Sequence, residues 1–421
     1  MGRTVRIVYP VCCGMDVHKS FIVACVAVTD EHSHTEHYIK RFSTFTGDLR
    51  RLCAWLASYN CRDVCMESSG KYWIPVFNTL EKADIKVCLT HPKYVKAIKG
   101  KKTDKKDAKW IAELFKCDLV RSSFIPPQDI RQLRDLCRYY VKLTGFASGE
   151  KNRAQNCLTM CNFKLDDVFS DVFGKSATRV LDALIEHGDG KFELDGLISG
   201  KCKSSEKEIR AALDGELNPT QSAKLSLIRQ HMNGIYDLQA SLENLIYEIS
   251  SKYQPKIDLL MTVPGISTPL TAARILAEIG TDMSVFETAK QLSSWAGLTP
   301  QNQESAGKKK TTRIGRAGVY LKPLLVQIAL NCGKSNKCPE LKNKYLALKK
   351  RRGGKKAVIA ISRKLLTAIW HVFSKNEPYN AELYRLSDKP PVDRVLTTAQ
   401  AVAFLRNKGF VIVDEETGEV A

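Results

Sequence analysis

The chain predicts a mixed α/β domain at its N-terminal end, followed by a mainly helical remainder that contains two long amphipathic helices. Three observations carry this reading. Over roughly the first 120 residues, short runs rich in β-branched and other apolar side chains alternate with segments of helical spacing. From about Gln128, apolar residues recur at three- and four-residue steps over long stretches. From about Tyr253, apolar helical segments are separated by glycine- and lysine-rich loops.

In chain order, VCCGMDVH and FIVACVAV read as strands joined by a polar turn, and YIKRFST as a third strand. TGDLRRLCAWLASYN has helical spacing through Leu49, Leu52, Trp55 and Leu56. DVCMES is a strand ending at Glu67, KYWIPVFNTLEKA a second helix and IKVCLTHP a further strand. Early strands followed by strand–helix alternation predict a mixed sheet covered by helices. In the next region Ile130, Leu133, Leu136, Tyr140 and Leu143 are interleaved with arginines and a lysine. Leu225, Ile228, Met232, Ile235, Leu238, Leu242, Leu245 and Ile249 repeat the pattern. These predict long helices that pair with each other or with a second subunit. Between them GDGKFELDGLISGKCKSS looks like a helix-to-helix excursion. LLMTVPGISTPLTAARILAEIG then predicts helix, Pro-Gly hairpin, helix, and KKAVIAISRKLLTAIWHVF a closing helix. The predicted organisation is 10–125, 126–252, 253–375 and a polar extension, 376–421.

Charge narrows the partners. There are 65 Lys and Arg against 45 Asp and Glu, a formal net charge of +20, and a pI near 9.3. Such an excess selects a polyanion, with nucleic acid first. No apolar run approaches the roughly 18 residues of a membrane span. The N-terminus lacks the apolar core and cleavage site of a signal peptide. The 14 cysteines therefore read as reduced, mostly buried thiols in a reducing cytoplasm. Their spacings, CxxxC at Cys61/Cys65 and Cys157/Cys161, are not those of zinc sites. His32, His34 and His37 fall in a polar segment between strand-like runs and read as hairpin loop. No GxxxxGK[ST] nucleotide-binding loop occurs in the sequence.

The candidate chemistry is carboxylate chemistry. KTDKKDAKW places Asp104 and Asp107 three apart, on one face of a helix, among Lys101, Lys102, Lys105 and Lys106. The plain alternative is a solvated helix face with local ion pairs. Asp16 follows an apolar strand run, where an acid is costly without a partner, and Glu67 ends another. Together they give Asp, Glu, Asp, Asp in strand, strand and helix contexts. A two-metal site needs such hard oxygen ligands, and two Mg²⁺ ions about 4 Å apart stabilise both attacking and leaving oxygens. Joint ionisation of neighbouring carboxylates is opposed until a cation binds, and the lysines suit a phosphate backbone. Lys71, with Tyr72 and Trp73, could contact nucleic acid or belong to the core. The hairpin at Gly265 could aim amides at a phosphate or be a helix-connecting turn. Ser305 stands in a polar, glycine-containing loop, where a serine is ordinarily only a loop residue and no histidine lies nearby in sequence to act as base; Lys308, Lys309, Lys310, Arg313 and Arg316 follow it, cations able to stabilise charge on a phosphate.

The motifs GMDVHK, ESSGKYW and KTDKKDA, then VPGIS, TAARILAEIG, WAGLTP, ESAGKKKTTRIGRAGVYLK and KKAVIAISRKLL, occur in that order over roughly residues 12–373. In this the chain resembles the DEDD-type transposases of the insertion sequence 110 family, the RNA-guided bridge recombinases. The resemblance implies a RuvC-like, RNase H-type N-terminal domain, a coiled-coil middle and a C-terminal transposase domain bearing a nucleophilic serine. It carries the acidic tetrad onto Asp16, Glu67, Asp104 and Asp107 and the serine onto Ser305, where Ser-Ala-Gly replaces the family's common Ser-Gly. It implies Mg²⁺, DNA element ends and target, a guide or bridge RNA, and a dimer or tetramer whose subunits share active sites. Two alternatives stand beside it. One is a metal-dependent nuclease of the Holliday-junction kind with water as nucleophile; the other is an architectural DNA-binding protein whose acids only form ion pairs.

Overall fold

In the computed structural model the described residues are 6–67, 70–95, 103–200, 202–300, 303–305, 308–311, 313–382, 397–411 and 413. The chain divides into two compact units, residues 1–252 with 273–285, and residues 253–272 with 286–421.

The first unit opens with strands β1 (Val11–Val17), β2 (Phe21–Thr29) and β3 (Thr35–Ser43), then helix α1 (Thr46–Ala57), β4 (Asp63–Glu67), α2 (Trp73–Lys82), β5 (Lys86–Thr90), the short α3 (Pro92–Val95) and α4 (Asp104–Lys116). The five strands form one sheet in the order β3-β2-β1-β4-β5. β1, β2 and β3 are an antiparallel meander, and β4 and β5 run parallel to β1. An antiparallel meander on one side of a central strand and parallel strands on the other is the RNase H-type sheet that the resemblance implied. Because side chains alternate along a strand, β1 serves two cores. Cys13, Met15 and Val17 pack with Leu49, Leu52 and Leu56 of α1 and Val76 and Leu80 of α2. Cys12 packs on the other face with Ala108, Ile111, Ala112 and Phe115 of α4. Burial on both faces explains why β1 and β2 read as nearly continuous apolar runs. His37, assigned to a loop by sequence, sits on β3 opposite Ala27, with its Nε2 2.6 Å from Glu113 Oε1.

Two helices of more than thirty residues follow, α5 (Gln128–Met160) and α9 (Pro219–Ser250), and they pack along each other. The excursion between them carries α6 (Leu165–Val168), α7 (Lys175–His187) and α8 (Glu206–Ala212). It is a folded helical cap, since Phe163, Val180, Leu181 and Leu184 share a core with Cys157 and Leu158 of α5 and Leu225 and Met232 of α9. Arginines of α5 face inward as well as outward. Arg134 donates to the carbonyls of Ala277 and Glu278, and Arg138 makes a two-pronged bond to the buried Glu278 carboxylate at 2.8 and 2.9 Å.

The remaining helices are α10 (Gln254–Met261), α11 (Pro269–Ile279), α12 (Ala289–Trp295), α13 (Leu321–Lys334), α14 (Pro339–Arg352) and α15 (Gly354–Lys375), with a hairpin of β6 (Gln303–Ser305) and β7 (Lys308–Thr311) between α12 and α13. In the second unit α15 packs against α10, α12, α13 and α14. This helix corrects one sequence expectation. Among the described residues α15 is long and apolar enough, by length and composition, to cross a membrane. Only Arg363 and Lys364 interrupt the stretch from Ala357 to Ser374, and its Ile361, Leu365, Leu366 and Ile369 are buried in the unit's core.

Candidate metal centre and nucleic-acid contacts

The site grows out of one glycine. A Cβ built on Gly14 of β1 would lie 2.3 Å from both the Ala108 carbonyl oxygen and the Ala112 amide nitrogen of α4. Backbone thus packs on backbone, which only glycine permits at a strand interior. That approach fixes α4 over the even-numbered face of β1. Asp16 is the next residue on that face, and Asp104 lies one helical turn before Ala108. Glu67 follows Met66, whose strand partner is Met15, so it neighbours Asp16 on β4. By alternation it shares the face of Cys65, the α4 face.

The start of α4 is fixed locally. Thr103 has extended backbone, and its side chain accepts from the Lys106 amide at 3.4 Å. Asp104 and Asp107 then fall in the first turn, where the helix dipole favours anions. Just beyond β1, His18 reaches across: its Nε2 lies 3.1 Å from Asp16 Oδ2 and 3.6 Å from Asp104 Oδ1. Asp16 is 15% exposed and Asp104 49%, so the cluster is walled by the sheet on one side and open on the other. Burial pushes the Asp16 carboxyl above the ordinary aspartate range. His18 pulls it back down, while Asp104 and Asp107 push it up.

The donor set fits a hard divalent cation. Asp16, His18 and Asp104 offer ligand atoms that all lie within 4.8 Å of one another, and a cation there would offset the burial, and the lesser repulsion from Asp104 and Asp107, that raise Asp16. Glu67 and Asp107 share this face of the fold but are not members of that three-residue group. His18 and Gly14 were given no role by sequence reasoning. The signal for Gly14 was available, a lone glycine inside a strand pattern. For His18 it was the i,i+2 spacing from Asp16 at a strand end.

The other predicted residues fall in both units. Lys71 and Tyr72 are exposed, whereas Trp73 packs edge-on against Phe77 at the core. Lys105 and Lys106 are exposed on α4; Lys101 and Lys102 lie outside the described residues. Ser305 is the last residue of β6 and pairs with Lys308 of β7, with Glu304 opposite Lys309; Lys310 continues β7. Arg313 and Arg316 are exposed beyond it. Gly265 has φ +83°, and a Cβ on it would meet Cys332 Sγ at 2.6 Å and Ile328 Cγ2 at 2.8 Å. Packing against α13 accounts for that glycine without any ligand.

Comparison with known proteins adds the following. Residues 13–163 match the family model of the IS110 DEDD transposase, and residues 257–346 match that of the IS116/IS110/IS902 transposase family. A transposase for insertion sequence element IS1111A from Coxiella burnetii (strain RSA 493 / Nine Mile phase I) is 25% identical over 334 residues, 77% of this chain and 81% of that protein. A pilin gene-inverting protein from Moraxella bovis is 29% identical over 167 residues, 37% of this chain and 48% of that protein. Among solved structures, Thermus thermophilus RuvC aligns over 27% of this chain and 99% of its own, with 13% identity and a TM-score of 0.22. At that score the fold rests on the sheet order alone.

Proposed function

This chain belongs to the IS110 family of transposases and is a DNA-recombining enzyme; from that premise we propose that it cuts and rejoins DNA through a covalent phosphoserine at Ser305. In this reading Asp16, Glu67, Asp104 and Asp107 hold Mg²⁺, as two ions, and a bridge RNA selects the target. The observation that carries the metal site is the convergence of Asp16 and Asp104 about His18, from a strand and a helix some ninety residues apart in sequence. When bound, a divalent ion supplies Lewis-acid stabilisation of charge on the scissile phosphate.

The chain's own residues do the rest. The Asp16 carboxylate is held by the sheet, and Asp104 and Asp107 by a capped helix start, so ligand geometry is set before substrate arrives. The Ser305 hydroxyl loses its proton and its Oγ bonds to phosphorus, while the phosphorus–oxygen bond of the strand breaks and the departing sugar oxygen takes a proton. Attack by the hydroxyl of another strand reverses these steps. Two bonds are exchanged at near-equal energy, so no ATP is required. Lys308, Lys309, Lys310, Arg313 and Arg316 supply positive charge for the phosphate, and Lys71, Lys105 and Lys106 for the flanking backbone. A dimer or tetramer in which one subunit offers the acids and another the serine completes the reading.

The test incubates the protein with its element-end DNA, Mg²⁺ and co-purified RNA, and looks for a protein–DNA adduct that survives denaturation. The adduct is expected with the parent chain and absent with Ser305→Ala. Cleavage that persists in Ser305→Ala would make water the nucleophile and the protein a nuclease. Asp104→Asn is expected to stop cleavage while DNA binding persists. Ribonuclease treatment is expected to abolish target choice.

A further inference from the structure

The second unit holds a groove of about 1890 Å³ along the outer face of α15. Its lining is of two kinds. Arg313, Arg352 and, on α15, Lys355, Lys356, Arg363, Lys364 and Lys375 bring positive charge, and Glu377 is the one acid beside them. Leu298, Ile314, Leu341, Ile359 and Val372 bring apolar surface, which makes up most of the wall. A sugar–phosphate backbone would match the cations and leave the apolar wall without a partner. The better complement is a peptide that is apolar at one end and acidic at the other.

The chain contains one. Residues 410–420 read FVIVDEETGEV, four apolar residues and then Asp414, Glu415, Glu416 and Glu419. In a chain of net charge +20 such a cluster of acids is conspicuous. Phe410, Val411 and Val413 are 59, 74 and 53% exposed, an apolar group that stands in solvent next to those acids. The dimensions agree. The lining along α15 runs from Lys355 to Lys375, roughly 30 Å at the helical rise, and eleven extended residues reach roughly 35 Å. The tether agrees too. The rim of the groove is formed by Glu377 to Ala381, from which the C-terminal extension departs.

We propose that the segment Phe410–Val420 docks in the α15 groove of its own chain, apolar residues on the apolar wall and carboxylates on the lysines and arginines. Docked there it shields a strongly basic groove from other polyanions. Arg313, which the proposed function places at the phosphate, also lines the groove, but the docking involves neither the four acids nor Ser305, so its test stands apart from theirs.

The test is photo-crosslinking in the full-length chain. Ile359, half-buried in the groove, is replaced by p-benzoylphenylalanine, and Thr367 likewise in a second variant, so that one failed substitution does not end the test. After irradiation and trypsin digestion, which cuts after Lys408, the expected product is an intramolecular crosslink to the peptide 409–421. Asp414→Asn/Glu415→Gln/Glu416→Gln, which adds no trypsin site to the peptide, is expected to lower its yield at least fivefold, with an unchanged circular dichroism melt. Crosslinks at both positions that go only to bound nucleic acid, only to a second copy, or nowhere overturn the proposal. So does a yield that the triple variant leaves unchanged.

Discussion

Gly14 and Asp16 illustrate what single residues decide. Gly14→Ala forces α4 off the sheet, because backbone atoms stand 2.3 Å from the new methyl. The expected cost is about 1–3 kcal/mol of stability, together with loss of DNA cleavage as Asp104 moves away from Asp16; chemical denaturation and a cleavage assay measure the two. Asp16 carries a pH prediction. Folding raises its pKa, so the folded chain holds that proton more tightly than the unfolded one. The stability it contributes is therefore full below the ordinary aspartate range and is lost as pH climbs through the raised value. In chelator at pH 7, Asp16→Asn should melt above the parent, and at pH 3 the difference should vanish. Added Mn²⁺ should raise the melting temperature of the parent and not of the variant. A variant that melts lower at pH 7 in chelator would remove the strained-carboxylate account.

At the scale of elements, the start of α4 and the end of α11 are the sensitive points. Thr103→Ala removes the side-chain acceptor for the Lys106 amide, at an expected cost of about 1 kcal/mol. The first turn frays, and Mn²⁺ affinity by calorimetry should weaken severalfold, while Thr103→Ser retains both. Arg138→Ala leaves the buried Glu278 carboxylate without its two-pronged partner. About 2–3 kcal/mol of destabilisation is expected, with metal affinity unchanged. The helices and strands themselves were legible, because α4, α5 and α9 bury regularly spaced apolar residues and β1 and β2 are buried on both faces. The cap between α5 and α9 was not, since Phe163 and Leu181 meet Leu225 and Met232 only once the chain has doubled back. Nor was the role of Arg134 and Arg138, whose partners lie about 140 residues away.

For the molecule as a whole, charge governs the encounter with DNA. A chain of net charge +20 that neutralises six or more phosphates should lose roughly a thousandfold or more in affinity between 50 and 200 mM salt. Binding measured by fluorescence anisotropy should show that slope with Mg²⁺ or with chelator, whereas cleavage should require the metal. A flat salt response would argue against a phosphate-dominated interface.

The sequence by itself determined the alternating and then helical architecture and the polyanion partner, and it singled out Asp16 and Asp104 as candidate ligands. Those are properties of composition, periodicity and motif order, which need no knowledge of distant contacts. Only the tertiary structure decided that α4 crosses β1 at Gly14, that His18 stands between Asp16 and Asp104, and that a basic, apolar-walled groove runs along α15. Each of these is set by which backbone surfaces can approach within van der Waals contact, a property of pairs of elements that no single stretch of chain contains.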